Sequence, residues 1–465
     1  MFKLIILAAI FFTACGGGDL PEAGNNFADS RYNTGAALTS GAAYVPEVLI
    51  MPDGVRDFPS LRLLSVRDPF TQERAFWHEG YVSITGAAED YNFSAARAQI
   101  RGRGNSTWES GAEKRGLRLR FDTPRQMLDS GHEARDWILL ANLFDMSLLR
   151  NYAAFFFADS LGGGEFVPFS RFVHLYVNDE YMGVYQLTDE RDIGPGRLQL
   201  EFNADPAISD YFFELDGHII GWLSEGNYEG VDYFRVENRA YNIRFPARRD
   251  RKGHVEYLRD FMHEVYAAAA ARDFEEIQRL VDLPSFIDFY IVLELTKSID
   301  VGNFSVFLQV RGAGEERRLY FGPVWDFDRS MGNMAYWTSP EFIFAGYYNV
   351  LMTELFSTPE VFELITARWN EIFGVYTVIL LDRLAWLAET YQESFNRNFE
   401  RHSHIFGERY GEEPYWFRMV PVQKQEIRDF PGQVEYLLAW LYARINWLNY
   451  YFNDGHLYAL TYGQN

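Results

Sequence analysis

Ser298-Ile299-Asp300-Val301-Gly302-Asn303 and Val324-Trp325-Asp326-Phe327-Asp328 are two acidic loops on either side of a segment patterned as one β-hairpin. Phe304 to Val310 (FSVFLQV) and Arg318 to Val324 (RLYFGPV) have strand character, and the polar, glycine-bearing Arg311 to Arg317 (RGAGEER) reads as their turn. A hairpin brings its two ends back together, so Asp300, Asn303, Asp326 and Asp328 are expected at its open end. Three carboxylates and an amide in one place suit a hard divalent cation, and Mg²⁺ is the commonest where phosphates complete the shell. A base beside a metal is also what phosphoryl transfer requires. Asp and Asn are ordinary turn formers too, although a turn alone does not need four of them. Upstream, Asp282 is placed to cap a helix with Pro284 in its first turn, and that helix, Ser285 to Lys297 (SFIDFYIVLELTK), runs directly into Asp300.

The N-terminus indicates where this chemistry takes place. Met1-Phe2-Lys3 is a short basic opening, Leu4 to Phe12 an apolar run, and Thr13-Ala14-Cys15 supplies small residues before a cysteine. This pattern is a secretory signal too short to span a bilayer. It resembles a bacterial lipoprotein signal, which implies cleavage that leaves Cys15 as a lipid-modified N-terminus. Phe12 stands where such signals usually have Leu. Cys15 is the only cysteine in 465 residues, which excludes an internal disulfide and a cysteine metal site. Residues 1–15 are therefore expected to be the signal, and 16–43, rich in Gly, Ala, Asn, Asp and Ser, a flexible tether. The expected location is that of a secreted lipoprotein at the outer membrane or cell surface.

From about Tyr44 the chain is dense in apolar residues, with 48% hydrophobic and 17% aromatic overall. Roughly 420 residues of this kind can bury a large core, as one domain or two packed lobes. The net charge of −22 and pI of about 4.9 argue against nucleic acid as a partner, because a basic face to neutralise phosphates is not expected. The expected fold is α+β, with a strand-rich lobe over 44–200 and a mainly helical lobe over 201–465. In the first, Ala98–Arg103, Gly116–Phe121, Phe172–Val177 and Gly183–Leu187 read as strands and Ser147–Leu161 as a helix. Asn178-Asp179-Glu180 joins two of those strands in a hairpin. In the second, one or two helices fall within Val255–Val281, and long amphipathic helices are expected over Pro359–Phe399 and Val434–Phe452. Their Trp and Tyr stripes read as core.

A cationic cluster lies in the first lobe: Arg101-Gly102-Arg103-Gly104-Asn105-Ser106-Thr107-Trp108, then Lys114-Arg115 and the strand Leu117–Phe121. Glycines that let backbone approach a ligand, followed by hydroxyls and cations, suit a phosphate chain. Arg118 and Arg120 share one strand face by period-two alternation, turned either to an anion or to solvent. His402-Ser403-His404 with Glu400 has a metal-like look but no third well-spaced ligand. The chain has no Gly-x-Ser-x-Gly elbow, His-Glu-x-x-His or Walker loop. A glycosidase, with its pair of carboxylates across a sugar cleft, is compatible with the acidic hairpin and the abundant Trp.

Several of these stretches together resemble the spore coat protein H (CotH) kinase family. The resemblance rests on Ile100-Arg101-Gly102-Arg103-Gly104-Asn105-Ser106-Thr107-Trp108, Trp137-Ile138-Leu139-Leu140-Ala141-Asn142-Leu143-Phe144-Asp145 and Leu149-Arg150-Asn151. It continues through Val177-Asn178-Asp179-Glu180-Tyr181-Met182-Gly183-Val184-Tyr185, Glu294-Leu295-Thr296-Lys297-Ser298-Ile299-Asp300 and Gly322-Pro323-Val324-Trp325-Asp326-Phe327-Asp328. It implies an atypical two-lobed protein-kinase-like fold, ATP with Mg²⁺ or Mn²⁺ as cofactors, and a protein phosphoacceptor. Asp300 then corresponds to the catalytic-loop aspartate and Asp326 to the metal-binding aspartate, with Asn303 and Asp328 as further metal ligands. Asn303 follows Asp300 more closely than in the His-Arg-Asp-x-x-x-x-Asn of ordinary kinases. Where the family often has Lys-Lys-Pro-Tyr-Arg-Ile-Lys, this chain has Lys114-Arg115-Gly116-Leu117-Arg118-Leu119-Arg120, with arginine in place of the final lysine. Arg118, Arg120 or Lys114 is left as the phosphate cation, and Arg and Lys are not interchangeable at a fitted site. Asp189 or Glu190 is the expected carboxylate partner of that cation. Two function classes follow: a surface-anchored kinase acting on protein hydroxyls, or a non-catalytic adhesin or carbohydrate-binding lipoprotein on the same scaffold.

Overall fold

Apolar and polar residues alternate along β1 (Ser60–Ser65) and β2 (His78–Thr85), so Leu61, Leu63, Val82 and Ile84 bury one face while Leu64 and Tyr81 face outward. The computed structural model describes residues 55–70, 73–104, 106–109, 113–162, 165–219, 226–334, 339–403 and 427–455. The expected signal at 1–15, Cys15 and the expected tether at 16–43 lie outside them. β3 (Phe93–Arg103), β4 (Gly116–Gln126), β5 (Glu133–Leu140), β6 (Ser170–Val177) and β7 (Glu180–Asp189) complete a closed barrel in the order β1-β2-β3-β4-β5-β7-β6. All neighbours are antiparallel except β1 and β6, whose parallel pairing closes the ring and leaves no free edge. Asn178 and Asp179, at φ 48° and 65°, form the two-residue turn between β6 and β7, the left-handed pair that matches strand twist in a hairpin.

A second sheet, order β12-β11-β8-β10-β9, follows the barrel and is antiparallel throughout. Its strands are β8 (Tyr211–Leu215), β9 (Tyr233–Val236), β10 (Arg239–Phe245), β11 (Val306–Arg311) and β12 (Arg318–Phe321). The hairpin expected from the acidic loops is β11–β12, shorter at its open end than the sequence pattern suggests. β8 to β10 occupy a stretch in which the sequence reading singled out no strands. β8 and β9 are short aromatic runs, and all five side chains of β8 are buried, so alternation gives no signal.

The helical part packs around this sheet and one side of the barrel. α1 (Arg150–Leu161) lies between barrel strands β5 and β6 in sequence; α2 (His254–Ala271) and α3 (Phe274–Leu280) lead to α4 (Leu283–Thr296). The Asp282 carboxylate accepts from Ser285 N at 2.9 Å to start α4, and Lys297 in the left-handed region (φ 53°) stops it. Nearly every side chain of α4 is buried, as expected of a helix apolar all round. α5 (Val350–Phe356), α6 (Pro359–Ile372), α7 (Tyr376–Thr390), α8 (Gln392–Arg401) and α9 (Phe430–Tyr450) follow. The long helix expected over 359–399 is thus three helices, the first break falling at Gly374 with φ 78°. The fold is α+β, with a strand-rich N-terminal half and a helical C-terminal part. No helix among the described residues is long and apolar enough to cross a membrane.

Candidate active site

From the end of α4 the chain enters a short 3₁₀ turn, Ile299–Gly302, which carries Asp300 and is closed by Phe304 N donating to the Asp300 carbonyl at 2.8 Å. The β11–β12 hairpin then returns the chain, and Gly322 N bonds Phe307 O at 2.9 Å to bring residues 324–328 back beside that turn. Asp300, Asp326 and Asp328 line one cleft of about 850 Å³, bounded by the ends of β3 and β4 on one side and by β8, β10 and β11 on the other. Burial and the charge of Asp326 push the Asp300 carboxyl up to about 7, with Arg329 opposing. Asp328 is pushed up for the same reasons, with Asp145 and Asp300 adding to the repulsion. Asn303 does not line the cleft: it is exposed, and its Oδ1 accepts from Arg239 Nη1. Among the described residues no three acidic or imidazole side chains are grouped closely enough to hold a metal ion by themselves.

The facing wall is cationic. Gly102 stands against the Trp108 ring, where an added Cβ would meet Cζ2 at 2.2 Å, and Gly104 is left-handed at φ 106°. The ring leaves no room for a side chain at Gly102, and the positive φ at Gly104 favours glycine. Arg101 stacks on Trp77 at 4.7 Å and Arg103 on Trp325 at 4.8 Å, and among the described residues neither guanidinium has an ion pair or side-chain hydrogen bond. Burial, then Arg118 and Arg120, lower the Arg101 pKa. Arg118 and Arg120 do share one strand face, and both donate to Asp136, at 2.8 and 2.9 Å. Arg118 also pairs with Glu190 at 2.9 Å. Burial alone would raise Glu190, yet Arg191, Arg118 and Arg103 hold it at about 2. Arg120 lies over Trp77 outside the cleft lining. Lys114 is completely buried against the Tyr185 ring and does not line the cleft either. Asn105, the side chain of Ser106 and His404 fall outside the described residues. His402 is buried, with Nε2 2.8 Å from the Met182 carbonyl.

The profile of the family described as CotH kinase protein matches residues 100–448, well over half of the chain. The chain belongs to the CotH kinase family. No curated protein matches it. In this CotH kinase family protein the motif around Asn142 to Asn151 is the scaffold behind the acidic loop. Asn151 Oδ1 accepts from Phe327 N at 2.7 Å, while its amide donates to Asn142 Oδ1 at 2.9 Å. Asn142 in turn donates to Gln186 Oε1 at 2.9 Å, which ties the loop to β7 of the barrel. Arg150 is fully buried, paired with Asp145 at 2.5 Å and donating to the carbonyls of Ser330 and Met331. Asp326, left-handed at φ 69°, is presented by this frame.

Sequence reasoning missed Asp136, Arg191 and Trp77. Asp136 meets Arg120 only through the β4–β5 register, which residue types alone do not reveal. Arg191 stacks on Trp325 at 4.1 Å and on Phe307 at 4.5 Å, with its pKa brought down by burial to about 10. Its place directly after Asp189-Glu190 was the available signal.

Proposed function

We propose that this CotH kinase family protein binds ATP in the cleft and transfers the terminal phosphoryl group to a hydroxyl of a protein substrate, while held at the membrane through Cys15. One observation carries the reading: Asp300, Asp326 and Asp328 line the same cleft as Arg101 and Arg103, two guanidinium groups with no salt bridge within 4 Å among the described residues, Glu190 acting on them from further off. Those arginines and the backbone of Gly102 and Gly104 suit the phosphate chain. The Arg118–Glu190 pair braces the wall behind them.

The donor set fits a divalent cation. Burial first, and the charge of Asp326 after it, raise Asp300 and Asp328, and a cation would relieve the repulsive part. Two carboxylates with phosphate oxygens completing the shell is the usual way Mg²⁺ is held. Asp326 and Asp328 would hold Mg²⁺ or Mn²⁺, which supplies charge neutralisation of the phosphates. Asp300, leading into the hairpin, orients the attacking hydroxyl and takes its proton as the new O–P bond forms and the bond to the ADP oxygen breaks.

The test is titration of Mg-ATP against wild type, Asp326→Asn and Asp300→Asn, with phosphate incorporation followed alongside. Asp326→Asn should abolish metal-dependent nucleotide binding. Asp300→Asn should bind nucleotide and lose transfer by about 10²- to 10⁴-fold, as for a lost general base. Equal loss of binding in both variants would mean the roles are divided otherwise. Asn303 turned to Arg239 favours a second reading, a non-catalytic adhesin or carbohydrate-binding scaffold. Wild type that binds no nucleotide with any divalent metal would remove the kinase reading and leave this one in its place.

A further inference from the structure

The outward face of β1 and β2 carries apolar side chains where a solvated face of an antiparallel sheet is ordinarily polar. Leu64 is 61% and Val66 78% exposed, the two most exposed large aliphatic residues among those described. Tyr81, 46% exposed, stands across from Leu64 in the β1–β2 register, and Val66 N donates to Glu79 O at 3.1 Å to extend that ladder. Phe76, 57% exposed, lies just before β2. Strand alternation turns Arg62 to the same side, where its guanidinium lies over the Tyr176 ring at 4.2 Å. Phe76 stands between Ala75, which lines the cleft, and Trp77, which stacks on Arg101, so the apolar face runs to the rim of the cleft.

The charges on this face are matched, although the chain carries a net −22. Glu79, the one carboxylate that the two strands carry, pairs with Arg97 at 2.7 Å. Arg62 lies 3.6 Å from Asp179. Arg56 before β1 and Arg67 after it are exposed and make no ion pair among the described residues. The strands therefore offer apolar side chains edged by arginine, with no uncompensated carboxylate of their own.

We propose that this face lies on a lipid bilayer and seats the barrel at the membrane surface, one rim of the cleft toward the lipid. Clustered exposed apolar side chains mark interaction surfaces. Aliphatic and aromatic groups suit the boundary between headgroups and acyl chains, and arginines at the edge reach the phosphates. Four side chains do not hold a protein there alone: a single myristoyl chain gives only about 10⁴ M⁻¹. A lipid on Cys15 changes this, because the chain that leads from it enters β1 through Val55 and Arg56. Such a link presents the face to the bilayer at an effective concentration of roughly a millimolar, enough to seat a weak contact. The proposal rests on the anchor reading for this seating, not for the contact itself.

The experiment uses the full chain carrying Cys15→Ser, so that no acyl chain contributes, with phosphatidylcholine vesicles and binding read by sedimentation. Leu64→Ser combined with Val66→Thr removes apolar groups that face outward, so folding is retained, and residues 1–15 are common to both proteins and cancel in the comparison. The double variant should bind vesicles roughly three- to tenfold more weakly. The contrast should persist in high salt, because screening leaves apolar contacts in place. A fluorophore on Val66→Cys, then the only thiol in the chain, should be quenched by lipid brominated on its acyl chains. The same label on Glu264→Cys, an exposed position on α2, should not be. Equal vesicle binding by the two proteins, or equal quenching at the two labelled sites, overturns the proposal. A double variant that changes the oligomeric state without altering vesicle binding assigns the face to a second copy of the chain and overturns it as well. Detergent-phase partitioning of the natural chain reads the anchor separately: its absence with the vesicle contrast intact removes the anchor reading and leaves the face standing.

Discussion

Lys114 places an ammonium where no described atom accepts its protons: it is fully buried, and its contact is the Tyr185 ring at 5.0 Å. Burial brings its pKa down from 10.5 to about 7, with Asp145 pulling weakly the other way. Between those two values the unfolded chain holds a proton that the folded chain has released. The group therefore makes stability rise with pH from about 7 to 10.5, and its penalty is full below 7. Lys114→Met replaces it with an apolar side chain of similar volume, and should stabilise the protein at pH 7 by about 1–4 kcal/mol. The advantage should shrink towards zero at pH 10. Urea unfolding of both proteins at pH 7 and 9.5 measures this, and a less stable variant at pH 7 would mean the ammonium is needed where it lies. Mg-ATP affinity should not change, because Lys114 stands outside the cleft lining.

At the scale of elements, the acidic loop depends on α1. Asn151 is the acceptor for Phe327 N, so Asn151→Ala leaves a buried donor unpaired and should destabilise the protein by about 1–3 kcal/mol. It also frees the backbone that holds Asp326 in its left-handed conformation, so more Mg²⁺ should be required for half-maximal ATP binding. An unchanged Mg²⁺ requirement would show that the loop holds its shape without α1. The hairpin β11–β12 and helix α4 were legible because their signals are local: strand residues around a polar turn, and an Asp cap with Pro in the first turn. What depends on pairing was not. Asp136 becomes the counter-charge of Arg118 and Arg120 only across the β4–β5 register, and Asn303 leaves the acidic cluster because Arg239 on β10 takes its amide. The expected helix over 359–399 broke because the apolar stripe continues through Gly374, whose φ of 78° no helix accommodates.

At the scale of the whole molecule, charge decides how the protein can reach a membrane. A net −22 gives no attraction to an anionic bilayer, and no described helix is long and apolar enough to span one. On the proposed reading, membrane association rests on a lipid on Cys15, each buried methylene contributing about 0.8 kcal/mol. Two consequences separate this from peripheral binding. Wild type should stay in the membrane fraction through a wash at high salt, because screening removes electrostatic attachment but leaves acyl chains in place. Cys15→Ser, which removes the only cysteine, should move the protein into the soluble secreted pool with its Mg-ATP affinity intact, since the described lining of the cleft begins at Arg74. Detergent-phase partitioning of the two proteins reads the outcome. A serine variant that partitions as wild type does would place the membrane contact elsewhere on the chain. Release of wild type by salt alone would make that contact electrostatic, against the sign of the chain's own charge.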